Sequence, residues 1–82
     1  MKQHTYEVTL KHIADAQGNP STYTDTLSFN SYNHDDIFNV LQVIQNSQML
    51  DDEAAKSFAV GLKLFSEVML EHKSLPLFKD FM

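Results

Sequence analysis

The apolar residues of this 82-residue chain change their period once, near residue 30, and that change restricts what the chain can fold into. From Thr5 to Ile13 the residues alternate. Tyr6, Val8, Leu10 and His12 point one way, and Thr5, Glu7, Thr9 and Lys11 the other. Period two with β-branched and aromatic residues is a strand signal. The segment from Asp15 to Pro20 holds Gly18, Asn19 and Pro20, all turn formers. Alternation resumes from Ser21 to Phe29, with Tyr23, Asp25, Leu27 and Phe29 on one face and Thr22, Thr24, Thr26 and Ser28 on the other. Two such runs about a short turn predict an antiparallel hairpin. Its apolar face packs on something, and its threonine-rich face meets water.

Beyond the hairpin the period is helical. Asn33 is placed to cap a helix, Asp35 and Asp36 suit the positive end of its dipole, and Tyr32 is placed to staple against Ile37. Ile37, Val40, Leu41 and Ile44 recur at helical spacing, and this helix should end near Asn46 to Gln48. Asp51, Asp52 and Glu53 open a second helix that runs to about His72 or Lys73. Its main apolar face carries Ala55, Phe58, Ala59, Leu62, Phe65 and Met69. Gly61 inside it costs about 1 kcal/mol relative to alanine, which a close helix contact at that point would justify. Val60, Leu64 and Val68 form a further stripe on roughly the opposite side. A helix covered by one layer does not need that stripe. The tail from Leu75 to Met82 is apolar enough to cover it, and Ser74 with Pro76 predicts a short terminal helix. The expected architecture is one α+β domain over residues 1–82: an antiparallel β-hairpin, two amphipathic helices (ββαα) and a short apolar C-terminal segment.

Composition narrows the function. With 43% hydrophobic and 21% charged residues, the chain is not disordered throughout. Its net charge is -5, and all its basic residues are scattered lysines, with no arginine. No basic patch is available for nucleic acid, and no bidentate clamp for phosphate. No cysteine is present, so disulfides, thiolate nucleophiles and cysteine zinc sites are excluded. Met1 to His4 runs straight into the strand pattern without an apolar signal core, and no apolar run approaches membrane-spanning length. The expected setting is cytoplasmic.

Four histidines are the first candidates for chemistry. His4 and His12 share a strand face but lie roughly 26 Å apart along an extended strand, too far for one metal ion. His34 with Asp35 and Asp36 reads as a helix N-terminus with favourable acids. Glu71 and His72 are neighbours on a helix, so their side chains diverge by about 100°. A turn centred between Gln17 and Gly18 would set Leu10 opposite Asp25 and His12 opposite Tyr23. His12, Tyr23 and Asp25 would then converge at the hairpin end, where a base, a phenol and an acid suit a small polar ligand. Asp51, Asp52, Glu53, Glu67 and Glu71 read as a solvated charged face, without calcium-loop spacing. No phosphate loop, dinucleotide fingerprint, nucleophile elbow or zinc-helix motif is present, and neither a cofactor nor a metal is expected.

The opening Tyr6-Glu7-Val8-Thr9-Leu10 strand, the Asp15-Ala16-Gln17-Gly18 turn and the closing Leu75-Pro76-Leu77-Phe78 segment resemble a family of short bacterial proteins catalogued as a domain of unknown function. The resemblance spans the chain. It implies a bacterial cytoplasmic setting and no particular activity, cofactor or catalytic residue.

The leading expectation is a small non-enzymatic protein-interaction module that associates with itself as a homodimer. A domain of this size buries only roughly 60–65% of its unfolded surface, so its own core is thin. Val60, Leu64 and Val68, with Leu77, Phe78 and Phe81 of the tail, are the expected interface. The first strand offers a second route, since only Glu7 and Lys11 guard its edge. A tail folded over the stripe within one chain is the competing arrangement. The alternative function is a small-ligand binder or minor enzyme built on His12, Tyr23 and Asp25.

Overall fold

The structure, a computed structural model, describes residues 2–80. The period-two runs form a hairpin, shorter than the alternation predicts. β1 is His4–Leu10 and β2 is Leu27–Asn33, paired antiparallel with Val8 opposite Phe29. Leu10 faces Leu27 rather than Asp25. The reason lies in the loop. Asp15 Oδ1 accepts from the backbone N–H of Gln17 and of Asn19 at 3.0 and 2.8 Å, and Gly18 takes a φ of 88°. The turn is closed by a bridge of Ala14 with Pro20 and a Ser21 N–H to Ile13 carbonyl bond of 2.9 Å. Below that bridge the two arms are unequal. Lys11 and His12 lead back to β1, whereas residues 22–26, with a bend at Asp25, lead to β2. The longer arm bows out and shifts the pairing. Asp15 keeps its carboxyl below the usual range, chiefly through the Asn19 N–H.

The expected apolar face is covered only in part: Leu10, Leu27 and Phe29 on it stay 44–65% exposed. Tyr6 and Val8 are half-buried while Glu7 and Thr9 are exposed. Thr9 and Ser28 join their hydroxyls across the water face at 3.1 Å.

Three helices follow: α1 (Ile37–Ser47), α2 (Asp52–Glu71) and the short α3 (Pro76–Lys79). The architecture is α+β, a hairpin followed by two main helices and a terminal turn of helix, as predicted. Asp36, not Asn33, caps α1, accepting from the N–H groups of Phe38 and Asn39. Tyr32 does not staple, because it pairs with Thr5 on the sheet's water face and is exposed. Tyr6 fastens this end instead. Its hydroxyl accepts from Ile37 N–H at 2.8 Å and donates to the Asp35 carbonyl at 3.1 Å. α1 ends on Gln48 in the left-handed region, φ 60°. Asp51 caps α2 through Ala54 N–H, with Asp52 and Glu53 in the first turn.

α1 and α2 pack through small residues. Ala55 and Ala59 are fully covered, and Ile37 in the first turn of α1 is buried. Two polar side chains complete the covered set, Asn33 at the end of β2 and Glu67 on α2. Asn33 donates to the Lys63 carbonyl at 3.0 Å and accepts from Asp35 N–H at 2.9 Å. Glu67 accepts from the backbone N–H of His34 at 3.0 Å and sits 2.9 Å from His34 Nδ1. The expectation that Glu67 belongs to a solvated face is thereby corrected. Its carboxyl is held below the usual range, first by the His34 N–H, against the opposing effect of burial. Because His34 fixes Glu67, α2 is turned about its axis so that Ala55, Ala59 and Glu67 face inward. Of the predicted apolar face, Ala55 and Ala59 are covered and Met69 is half-buried, whereas Phe58, Leu62 and Phe65 stay 42–49% exposed. Gly61 meets no close neighbour: a Cβ there would find nothing within 4 Å.

Three outcomes follow from this framework. Tyr6→Phe removes both hydroxyl bonds and should lower unfolding stability by roughly 1–3 kcal/mol in urea titration. Gly61→Ala should raise it by about 1 kcal/mol, since helix propensity improves with no clash. Glu67→Gln tests the junction. A carboxyl whose pKa falls on folding stabilises the fold fully above its ordinary value of 4.5 and loses that contribution as pH falls through its folded value. The wild-type advantage over Glu67→Gln should therefore be constant near neutrality and shrink below about pH 4.5. An advantage that does not change with pH would show that the Glu67 charge contributes nothing.

Candidate functional site

An apolar concavity lies between β1 and the two long helices. Residues 6–9 of β1 form one wall, Ile37, Phe38 and Leu41 of α1 a second, and Val60 with Leu64 of α2 the third. The groove holds about 270 Å³. Helical periodicity supplies the apolar walls, and the sheet supplies the fourth feature. With only two strands, β1 has an outer edge that pairs with no strand among the described residues. The ring of Phe38 stands 6.3 Å from that of Tyr6 and is itself 73% exposed. Glu7 is the one charged residue of the lining. A site of this kind offers apolar area and backbone hydrogen bonds. It holds no paired acid and base for catalysis.

The predicted interface residues separate. Val60 and Leu64 line the groove, and Val68 is exposed further along α2. Leu77 is exposed, and Phe78 is half-buried with its ring 6.2 Å from Phe65. Phe81 lies outside the described residues. The tail thus docks toward Phe65, while Val60 and Val68 remain exposed. Both flanks of α2 stay partly exposed.

At the hairpin end, His12 and Tyr23 come together without Asp25. Their rings meet edge to face at 5.2 Å, and His12 Nδ1 lies 2.6 Å from Ser21 Oγ, which also accepts from Tyr23 N–H. Asp25 sits at the bend, and no described hydrogen bond or ion pair joins it to either. All three residues are exposed. Among the described residues, no three His, Asp or Glu side chains gather as a metal site would require.

A polar cleft of about 260 Å³ opens over the junction, lined by Asn33, His34, Asp35, Lys63 and Glu67 with Ser66 and Leu70. Lys63 Nζ pairs with Asp35 at 2.6 Å and lowers that carboxyl's pKa. Sequence reasoning missed this cluster. The signal was present in the spacing, because Ala55, Ala59, Lys63 and Glu67 fall four residues apart and so share a drifting face of one helix.

No described helix is long and apolar enough to cross a membrane. No curated protein matches the chain. A crystal structure of a protein of unknown function from Pectobacterium atrosepticum is similar to it, with a TM-score of 0.80 and 36% identity, over 98% of this chain and 84% of that one. A family model described as a domain of unknown function with a solved structure, DUF3861, matches residues 4–82. Whole-length agreement in both sequence and fold settles membership: the chain belongs to the DUF3861 family.

Proposed function

We propose that this protein is a non-enzymatic interaction module that works as a homodimer. The observation that carries the reading is surface. The chain exposes 6827 Å² for a mass of 9.4 kDa. A compact monomer of that mass exposes roughly 5,000 Å². The radius of gyration, 15.4 Å, likewise exceeds the roughly 12 Å of a compact domain of this length. The surplus is larger than the roughly 800 Å² that a standard interface covers on each partner. Much of it is apolar, since Phe38, Phe58, Leu62 and Val68 stay 42–73% exposed. The net charge of -5 opposes association of two copies, so screening by salt should favour it. A bacterial cytoplasmic setting accords with the absence of cysteine and with the Pectobacterium relative.

A second reading keeps the hairpin end as a small polar ligand site. His12 against Tyr23, with Asp25 on the adjacent bend, is the observation in its favour. Amide shifts at these three residues on titration with small carboxylic acids or zinc ion would support it, and shifts confined to α2 would end it.

Sedimentation velocity tests the main reading. The expected species has twice 9.4 kDa, and its population rises with protein concentration and with salt. A particle that stays at 9.4 kDa from low micromolar to near-millimolar concentration refutes the homodimer.

A further inference from the structure

We infer that the groove beside β1 receives the β1 edge of a second copy, paired antiparallel about a twofold axis at Val8, so that two hairpins become one four-stranded sheet. This rests on the homodimer reading above and states where the contact lies.

Edge strands carry unpaired N–H and C=O groups that another chain can complete. A two-stranded sheet has two such edges, and they are unlike. The β2 edge belongs to a strand whose helix-facing positions include Ser31 and Asn33, the latter already bonded to α2. The β1 edge belongs to a strand whose helix-facing positions are Tyr6, Val8 and Leu10, and it borders the apolar groove. An added strand there gains backbone hydrogen bonds and lays alternate side chains on Ile37, Phe38, Leu41 and Val60. β1 of a second copy has the required alternation. The arrangement is reciprocal: each β1 edge fills the other chain's groove, which closes the assembly at two.

Apolar pairing selects the register, and charge excludes one alternative. A twofold axis normal to the sheet pairs residues of the same face, so the axis passes through one residue. At Glu7 it would set two carboxylates directly opposite, which is unfavourable. At Thr9 it would set Glu7 opposite the partner's Lys11 but Tyr6 opposite the partner's His12. At Val8 it sets Tyr6 opposite the partner's Leu10 on the apolar face, so that Tyr6, Val8 and Leu10 have apolar partners only. It also sets Glu7 opposite the partner's Thr9 on the water face, diagonal to the partner's Lys11. Leu10, 65% exposed in one chain, is thereby covered.

The chain has no cysteine, so introduced thiols report the register directly. Oxidation of an equimolar mixture of Glu7→Cys and Thr9→Cys should yield the mixed crosslink in preference to either like pair, because directly opposed strand positions meet disulfide geometry and diagonal ones do not. Phe38→Lys and Val60→Glu should each weaken self-association by roughly 30-fold or more, the scale of a central interface residue, with helical circular dichroism retained. Phe58→Lys, on the open outer face of α2, should leave the mass unchanged. If the wild type is monomeric, the homodimer reading and this interface fall together. If it is dimeric, but Phe58→Lys dissociates it and the groove variants do not, the homodimer stands and this interface is overturned. Should a groove variant fail to fold, the crosslinks decide: like pairs in excess of mixed pairs reject the Val8 register.

Discussion

The buried carboxylate of Glu67 is the contact on which the other elements depend. It accepts two hydrogen bonds from His34, one from the backbone and one from the ring, and so ties the end of β2 to the middle of α2. A buried charge is tolerable only when such bonds replace its water. Asn33 adds a neighbouring tie to the Lys63 carbonyl, and the Tyr6 hydroxyl holds the first turn of α1 against β1. Three polar fastenings thus hold hairpin and helices together where, among the described residues, the buried apolar side chains are those of Ile37, Ala55 and Ala59.

That polar junction decides what stays outside. With Glu67 fixed inward, the covered face of α2 is the drifting row of Ala55, Ala59 and Glu67. Small residues allow the helices to approach, but they bury little area. The large side chains of α2 fall on either side of the row. Phe58, Leu62 and Phe65 occupy one flank, and Val60, Leu64 and Val68 the other, with β1 beside the second flank. A fold assembled this way leaves apolar surface and a strand edge exposed, and these are the features on which the proposed association rests. The His12–Tyr23 contact at the far end is a local packing of exposed rings against the loop, stiffened by Ser21.

Much of the architecture was legible because it rests on short-range rules. Period two marked the hairpin, period 3.6 marked both helices, Asp51 and its acidic neighbours marked the start of α2, and Pro76 marked the terminal helix. Errors arose where two local solutions compete. Asn33 and Asp36 can both cap α1, and the choice went to Asp36 because Asn33 is drawn into the contact with Lys63. The hairpin register was misplaced because alternation runs unbroken through residues 21–29, although the arm before Leu27 bows out. Gly61 suggested a close approach that no neighbour makes.

By itself, then, the sequence determined the order and type of the elements, the absence of thiol chemistry and the acidic balance, because propensity, periodicity and composition act within a few residues. Tertiary structure alone decided how α2 is rotated about its axis. Its large apolar side chains form two flanks, and the covered row between them also carries Lys63 and Glu67, so periodicity points to the flanks instead. A carboxylate meeting a backbone N–H thirty-three residues away makes that choice, and the four-residue spacing of Ala55, Ala59, Lys63 and Glu67 does not by itself reveal that distant partner. The same rotation placed Val60 and Leu64 beside the free edge of β1, which turned a sequence stripe into one wall of a groove.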